Sequence, residues 1–154
     1  MTSGRWLVIA IVVITAVFGA AVWWFQTRAY YERVESARMV VTEETGEVHV
    51  LDVKDFQGIT TWTSPISFRA CFRLGAEARA DAELGANYDD PTPLTAPGWF
   101  DCFDAEAIGT ALEAGQANAL LSQREIDPGV DRVIAVFPDG RAYAWHQLNG
   151  TLEQ

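Results

Sequence analysis

The residues of this chain best suited to metal binding or nucleophilic attack are Cys71, Cys102, His49 and His146. The two cysteines are far apart in the sequence, so they do not form the Cys-x-x-Cys pair of a redox-active thiol site. Structural zinc takes four ligands, usually in close pairs, and no such pairing is present. Copper can be bound by two thiolates and a histidine, so Cys71, Cys102 and His146 are a possible ligand set.

Three interpretations of the cysteines therefore stay open. Cys71, Cys102 and His146 could form a metal or redox site, or one thiol could be a nucleophile with His146 as its base. We favour the third interpretation, a disulfide between Cys71 and Cys102, because two cysteines outside a membrane segment are typical of an oxidising compartment. In the chain-entropy model such a bond is worth about 3–4 kcal/mol.

Other chemical signatures are weaker. Asp89, Asp90, Asp127 and Asp131 could supply oxygen ligands to calcium, but the twelve-residue calcium loop is missing, and solvated turn aspartates are far commoner. The sequence also lacks the Gly-x-Ser-x-Gly, His-Glu-x-x-His and phosphate-binding glycine motifs. We therefore expect no catalytic residue and no cofactor.

The stretch "WLVIAIVVITAVFGAAVWWF", residues 6–25, contains no charged side chain. Its length as a helix is about 30 Å, the thickness of the hydrocarbon core of a bilayer. Tryptophans at both ends are typical of membrane interfaces. The alternative, a signal peptide cleaved near residues 19–21, is less favoured because the apolar run continues past that point through three aromatic residues.

The stretch therefore predicts a transmembrane helix over residues 6–25, after a short cytoplasmic tail of residues 1–5. We expect the linker, residues 26–38, to be helical as well. Ala16, Gly19 and Ala20 lie on one face of the membrane helix and resemble the small-residue pattern through which membrane helices pack.

The charge of the chain is unevenly distributed. Residues 1–38 carry four arginines and two glutamates, whereas residues 39–154 carry seven basic and nineteen acidic side chains, a net charge of −12. Such an acidic domain is repelled by nucleic acids and by anionic lipid headgroups. The arginines on both sides of the helix do not decide its orientation, but the cysteines favour a periplasmic location for residues 39–154.

Residues 39–154 show alternating apolar patterns typical of strands, separated by turn signals. The strands are predicted at Met39–Glu43, Glu47–Val53, Ile66–Leu74, Ala117–Ser122, Arg132–Phe137 and Arg141–Leu148. The last two flank a turn at Pro138-Asp139-Gly140, where proline presets the first position and glycine takes the positive dihedral angle.

One helix is predicted between Asp104, its N-cap, and Gly115, its end, with a hydrophobic staple between Phe103 and Ile108. Gly109 in the middle of this helix suggests close packing against another backbone. A second, short helix is predicted at Ala76–Leu84, with an Arg79–Glu83 pair, followed by a loop at Gly85–Gly98. The predicted fold class is α+β, an antiparallel sheet with one or two helices behind an N-terminal transmembrane helix.

Four stretches in order, "SPISFRACF", "APGWFDCFDA", "IGTALEAG" and "DRVIAVFPDGRAYAWHQ", resemble a family of small membrane-anchored alphaproteobacterial proteins that contain a domain of unknown function. The resemblance covers most of residues 48–148. It implies a membrane-anchored domain, but it implies no activity, substrate or cofactor and assigns no functional residue.

Together these features predict a non-catalytic accessory or assembly subunit of a larger bacterial inner-membrane complex. Its partners would be integral membrane proteins, bound through the membrane helix and through the outer domain, where Trp62, Trp99 and Phe100 could form a contact surface. The alternative is a periplasmic metal-handling or redox protein that uses Cys71, Cys102 and His146.

Overall fold

The computed structural model describes residues 2–151, which divide into two compact units between Tyr31 and Glu32. The first unit contains helix α1 (Thr2–Trp24), which continues as a π-helical turn (Phe25–Ala29). The segment Ser3–Ala29 is long and apolar enough to cross a membrane. Within it, the Thr15 hydroxyl donates to the Ile11 carbonyl at 2.9 Å, so this polar group is satisfied inside the helix.

The prediction of a helical linker over residues 26–38 is wrong beyond Ala29. Tyr31–Val34 is strand β1, which lies at an edge of the large sheet. Tyr31 and Val34 are residue types with high β-propensity, and strand β4 (Val53–Thr61) supplies hydrogen-bond partners that a helix could not use. The packing is close, because a Cβ on Gly58 would lie 3.3 Å from the Val34 Cβ.

The second unit is an α+β domain on an antiparallel sheet, as predicted. Its strands after β1 are β2 (Val40–Thr42), β3 (Val48–Val50), β4 (Val53–Thr61), β5 (Ser64–Leu74), β6 (Asn118–Asp127), β7 (Val130–Val136) and β8 (Arg141–Leu148). Two short helices are α2 (Ala76–Ala82) and α3 (Ala105–Glu113). Six strands form one sheet in the order β1-β4-β5-β8-β7-β6, and β2 pairs with β3 in a separate hairpin.

One face of the sheet, called here the hairpin face, is covered by the β2–β3 hairpin and by α2. Strand residues on this face alternate with those of the other face and are small or apolar in the centre of the sheet. The core here consists of Met39, Val41, Leu51, Phe68, Ala70, Phe72, Leu74, Ala78, Ala82, Leu120, Ile134, Ala142 and Ala144. The small alanines on β5 and β8 leave room for the larger side chains of the hairpin.

The opposite face, called here the disulfide face, is covered by α3 and the segment before it. Phe103 packs edge-on against Tyr143 and Trp145 of β8, with ring centroids 6.1 and 6.4 Å apart. Ile108 is buried on the inner side of α3. Asp104 caps this helix as predicted, since its Oδ1 accepts from the Ala107 amide at 3.0 Å.

The β7–β8 turn forms at Pro138–Gly140 as predicted. Gly140 has φ of +86°, and a Cβ there would lie 2.7 Å from the Leu74 carbonyl oxygen. The Gly140 carbonyl accepts from the Leu74 amide at 2.8 Å, so the turn is fastened to the end of β5. Glycine is therefore needed at this position both for its backbone angle and for the close approach.

Two predictions about the helices are wrong. Outside α3 itself, a Cβ on Gly109 would have no neighbour within 4 Å in the described part of the chain, so no second backbone from that part packs there. Arg79 does not pair with Glu83; its Nη1 donates instead to the Pro138 carbonyl at 2.5 Å. That carbonyl lies in the β7–β8 turn and accepts a charge-assisted hydrogen bond from α2.

Candidate functional site

Cys71 on β5 and Cys102 form the disulfide that the sequence analysis favours, with Cα atoms 6.3 Å apart. Cys102 lies two residues before the Asp104 cap of α3. The bond therefore attaches the start of α3 to the middle of the sheet. Neither cysteine carries a thiol, so the structure offers no nucleophile or thiolate ligand at these positions.

His146 lies on the other face of the sheet. On β5 and β8, Cys71 is paired with Tyr143, whereas the His146 ring stacks on Phe68 of the hairpin face at 4.7 Å between centroids. Because side chains alternate between faces, the sheet separates Cys71 from His146. The proposed ligand set of Cys71, Cys102 and His146 is not brought together.

Both ring nitrogens of His146 are occupied. Nδ1 lies 2.6 Å from the Pro65 carbonyl oxygen, which can only accept, and Nε2 lies 3.0 Å from Arg132 Nε, which can only donate. His146 is therefore the neutral tautomer protonated at Nδ1. Burial lowers its pKa to about 4, and the nearby charge of Arg132 acts in the same direction.

Two arginines accompany His146 at this end of the sheet. The Arg132 guanidinium lies over the Phe68 ring at 4.7 Å, and burial lowers its pKa to about 10. Arg69, on the disulfide face, is buried and donates to backbone carbonyls of Ile66 and Phe68 on its own strand. It also donates to the carbonyls of Leu94 and Thr95, which fastens the loop before α3 to β5.

A polar cleft of about 480 Å³ lies beside the ends of β7 and β8. At its base the Asp131 carboxylate is 1 % exposed and accepts from the Glu125 amide and the Asn149 side chain, each at 2.9 Å. The Tyr88 hydroxyl donates to it at 3.2 Å, and Arg124 lies 3.8 Å away. Burial, with the charge of Asp131 as the second cause, raises the pKa of Tyr88 to about 12.

The neighbouring Gln147 fastens the loop along the same cleft. Its Oε1 accepts from the Thr92 amide at 2.7 Å and from Trp145 Nε1 at 2.9 Å, and its Nε2 donates to the Asp90 carbonyl at 3.1 Å. The buried polar groups of the cleft are thus bonded to one another and to the backbone. Such a network holds chain segments in place and leaves its members engaged.

The four aspartates considered for calcium are only partly gathered. Asp89, Asp90 and Asp131 line the polar cleft, but Asp127 does not and instead lines a cavity near His146. Asp131 is buried and bonded as described above, while Asp89 and Asp90 are exposed. This arrangement does not form a calcium cage.

A cluster that the sequence analysis did not identify lies on the β2–β3 hairpin. One ligand atom each from Glu43, Glu47 and His49 lies within 4.8 Å of the others. His49 Nε2 and Glu43 Oε1 are 2.6 Å apart, and this contact lowers the pKa of Glu43. The signal that could have revealed it is the spacing of these residues across the Thr45-Gly46 turn, which places Glu43 opposite Glu47 at the end of the hairpin and His49 on β3.

Only part of the predicted aromatic contact surface is exposed to solvent. Trp62 is 78 % exposed at the turn between β4 and β5. Trp99 is half-buried, with the Arg33 guanidinium 5.4 Å from its ring. Phe100 is 4 % exposed and belongs to the core, so it cannot serve as a contact residue. On α1, Ala16, Gly19 and Ala20 are all exposed and lie on one side of the helix.

No curated protein and no solved structure matches this chain. The model of a family described as Family of unknown function (DUF6446) matches residues 38–154. That match includes every strand and helix of the sheet domain except β1. The chain therefore belongs to this family of unknown function.

Proposed function

We propose that this protein is a single-pass protein of a bacterial inner membrane whose domain lies in the periplasm. There it acts without catalysis, as an accessory or assembly subunit of a larger membrane complex. The observation that carries this proposal is that the chain contains both an apolar helix and a disulfide-bonded domain. In the described part of that domain, the buried charged groups hold chain segments together.

The disulfide supports the proposed compartment. Such bonds persist in oxidising compartments and are rare in the cytosol. Cys71–Cys102 is built into the packing of α3 against the sheet, next to the cap of that helix. A domain that uses this bond for its architecture fits the periplasmic side of the membrane.

The way in which the titratable groups are used supports a role through contact. His146 and Asp131 have their hydrogen-bonding atoms engaged by backbone and side-chain partners. Arg69 is likewise surrounded by carbonyls. The alternative of a metal-handling or redox protein that uses Cys71, Cys102 and His146 has no support in this geometry, because the cysteines are bonded and His146 lies across the sheet.

The membrane helix supplies one surface for a partner. Ala16, Gly19 and Ala20 are small and share a face, so another helix could approach its backbone closely. Confinement to the bilayer would also raise the effective concentration of the outer domain beside a membrane partner. Trp62, exposed on the domain, is a candidate second contact.

The experiment is co-purification of the native tagged protein after extraction in mild detergent, followed by identification of its partners. We expect Ala16→Leu with Gly19→Leu to reduce recovery of the partner severalfold. The matched control is Ala10→Leu with Ala21→Leu, which adds the same kind of bulk on the opposite side of α1 at 3.6 residues per turn. Equal recovery with both pairs would remove the helix from the proposal and leave the outer domain as the contact.

A further inference from the structure

Two buried side-chain atoms in the described part of the chain have no hydrogen-bond partner: Ser122 Oγ and Arg79 Nε. Ser122 is fully buried between the β2–β3 hairpin and the sheet. Arg79, by contrast, lines a cavity of about 440 Å³. Buried donors are nearly always paired in native proteins, so an unpaired donor beside a cavity points to an acceptor that is supplied by a ligand.

The cavity has the mixed lining that small-molecule sites show. It lies between α2, the segment after α3 and the start of the β7–β8 turn. Its apolar wall includes Ala80, Leu120, Val136 and Phe137, and the amides of Asn87 and Asn118 lie beside it. A ligand that fits this lining has an apolar body and a polar group directed toward Arg79.

The unpaired edge of Arg79 defines that polar group. Nη1 is engaged by the Pro138 carbonyl at 2.5 Å, and Nε has no partner among the described residues. Nε shares the side-on edge of the guanidinium with Nη2, and we assign this edge to the ligand. Two parallel N–H donors on a planar group match the two oxygens of a carboxylate. Nε is buried in the observed position of the side chain, so binding requires the guanidinium to rotate until this edge faces the cavity.

Glu83 also lines the cavity, one helical turn after Arg79. It does not neutralise the arginine, because the ion pairs of the described residues do not include Arg79. The positive charge of Arg79 is therefore available to an anionic ligand. Glu83 lies on the exposed side of α2, where solvent screens its repulsion.

We infer that this cavity binds a small organic carboxylate, with its carboxylate on the Nε–Nη2 edge of Arg79 and its apolar body against Leu120, Val136 and Phe137. This site does not depend on the proposed membrane role. It gives the domain a ligand-responsive element in which α2 and the β7–β8 turn are joined through one arginine.

Sodium benzoate is the probe, and benzamide is its neutral isostere. Both are titrated by calorimetry into the full-length protein in detergent micelles at near-neutral pH and physiological ionic strength. We expect benzoate to bind and benzamide to bind at least tenfold more weakly, because only benzoate completes the paired contact with the guanidinium. The absence of benzoate binding, or equal affinity for both compounds, overturns the inference.

Variants then locate the site. Arg79→Met, which keeps the length of the side chain, should weaken benzoate binding at least tenfold, while Arg73→Met, at an exposed arginine of β5, should leave it unchanged. Glu83→Gln should leave binding unchanged or tighten it. Ala80→Trp, at an exposed position of α2, should block the cavity without touching the arginine and provides the test if Arg79→Met fails to fold. Full benzoate affinity in Arg79→Met or in Ala80→Trp contradicts the proposed site.

Discussion

His146 is a buried base held in its neutral form, and this has a consequence for stability. Its pKa is about 4 in the folded protein, below the ordinary value of 6.5. As the pH falls through 6.5, the unfolded chain binds a proton at His146 but the folded protein does not. The contribution of His146 to the free energy of unfolding is therefore fully present above pH 6.5 and decreases toward pH 4. The shift corresponds to a loss of up to about 3 kcal/mol.

Urea denaturation of the full-length protein across this pH range measures the effect. His146→Gln, which removes the titration but keeps a polar side chain, should flatten the pH dependence between about 6.5 and 4. The carboxylates Glu43, Glu125 and Asp139 also have lowered pKa values, but they titrate below the upper part of this window. An equally steep loss of stability in His146→Gln between pH 6.5 and 5 would contradict this assignment.

Ser122 also has an unpaired buried atom, but unlike Arg79 it does not line the proposed ligand cavity. Its hydroxyl has no partner among residues 2–151, while its carbonyl accepts from the Thr42 hydroxyl at 2.7 Å. Removing an unsatisfied hydroxyl removes a desolvation cost of about 1–3 kcal/mol. We therefore expect Ser122→Ala to leave the free energy of unfolding unchanged or to raise it.

Thr42→Val is the matched control for Ser122→Ala, because it keeps the shape of the side chain and deletes a bond that is made. It should lower the free energy of unfolding by about 1 kcal/mol. Chemical denaturation of both variants gives the comparison. A clear destabilisation by Ser122→Ala would mean that its hydroxyl is bonded in solution.

At the scale of elements, the disulfide links α3 to the sheet, and its removal should loosen that helix first. For the loop of 31 residues that it closes, the chain-entropy model gives about 4 kcal/mol. Cys71→Ala with Cys102→Ala should lower the free energy of unfolding by roughly this amount. Hydrogen exchange should accelerate more in Ala105–Glu113 than in β7 and β8.

Labelling provides the control for the disulfide. The wild-type protein, denatured without reductant, should take up no thiol alkylator, and after reduction it should take up two equivalents, one at each cysteine. Uptake before reduction would show that Cys71 and Cys102 are not bonded in the native protein. The stability prediction would then lose its basis.

The strands near the C-terminus were predictable because β7 and β8 alternate regularly and flank a turn with a strong Pro-Asp-Gly signal. Strand β4 was missed because its pattern is interrupted. Asp55 has φ of +52°, and the pairing with β5 shifts register between Lys54 and Gln57. A bulge of this kind breaks the period of two on which sequence reading depends.

The site residues show the same limit. The disulfide was inferred from the number of cysteines and from their position outside the apolar segment, both of which can be read from the sequence. That Cys71 and His146 lie on opposite faces depends on the register between β5 and β8, which no local pattern specifies. Likewise, Arg79 was expected to pair with Glu83 at helical spacing, but the β7–β8 turn brings the Pro138 carbonyl to it from 59 residues away.

At the scale of the whole molecule, the charge of the domain and the proposed membrane anchor limit the partners that the domain can contact. Residues 39–154 carry a net charge of −12, so long-range forces favour neutral or basic partner surfaces. We expect association with a membrane partner to weaken as ionic strength rises if the outer domain contributes. Recovery of the partner in co-purifications at increasing salt measures this. Salt-independent recovery would assign binding to the membrane helix alone.

The orientation of the anchor is the remaining whole-molecule prediction. Arg28, Arg33 and Arg38 follow the apolar segment, and by basic-residue count alone they would favour a cytoplasmic domain. The disulfide argues the other way, because a cytosolic domain would be kept reduced.

We therefore expect a reporter active only in the periplasm to be active when fused at the C-terminus. A cytoplasmic reporter at the same position should be silent. The same fusions on a Cys71→Ala with Cys102→Ala background should give the same result, since topology is set by the anchor and not by the bond. Activity from the cytoplasmic reporter alone would place the domain inside the cell, and the periplasmic part of the proposed function would be withdrawn.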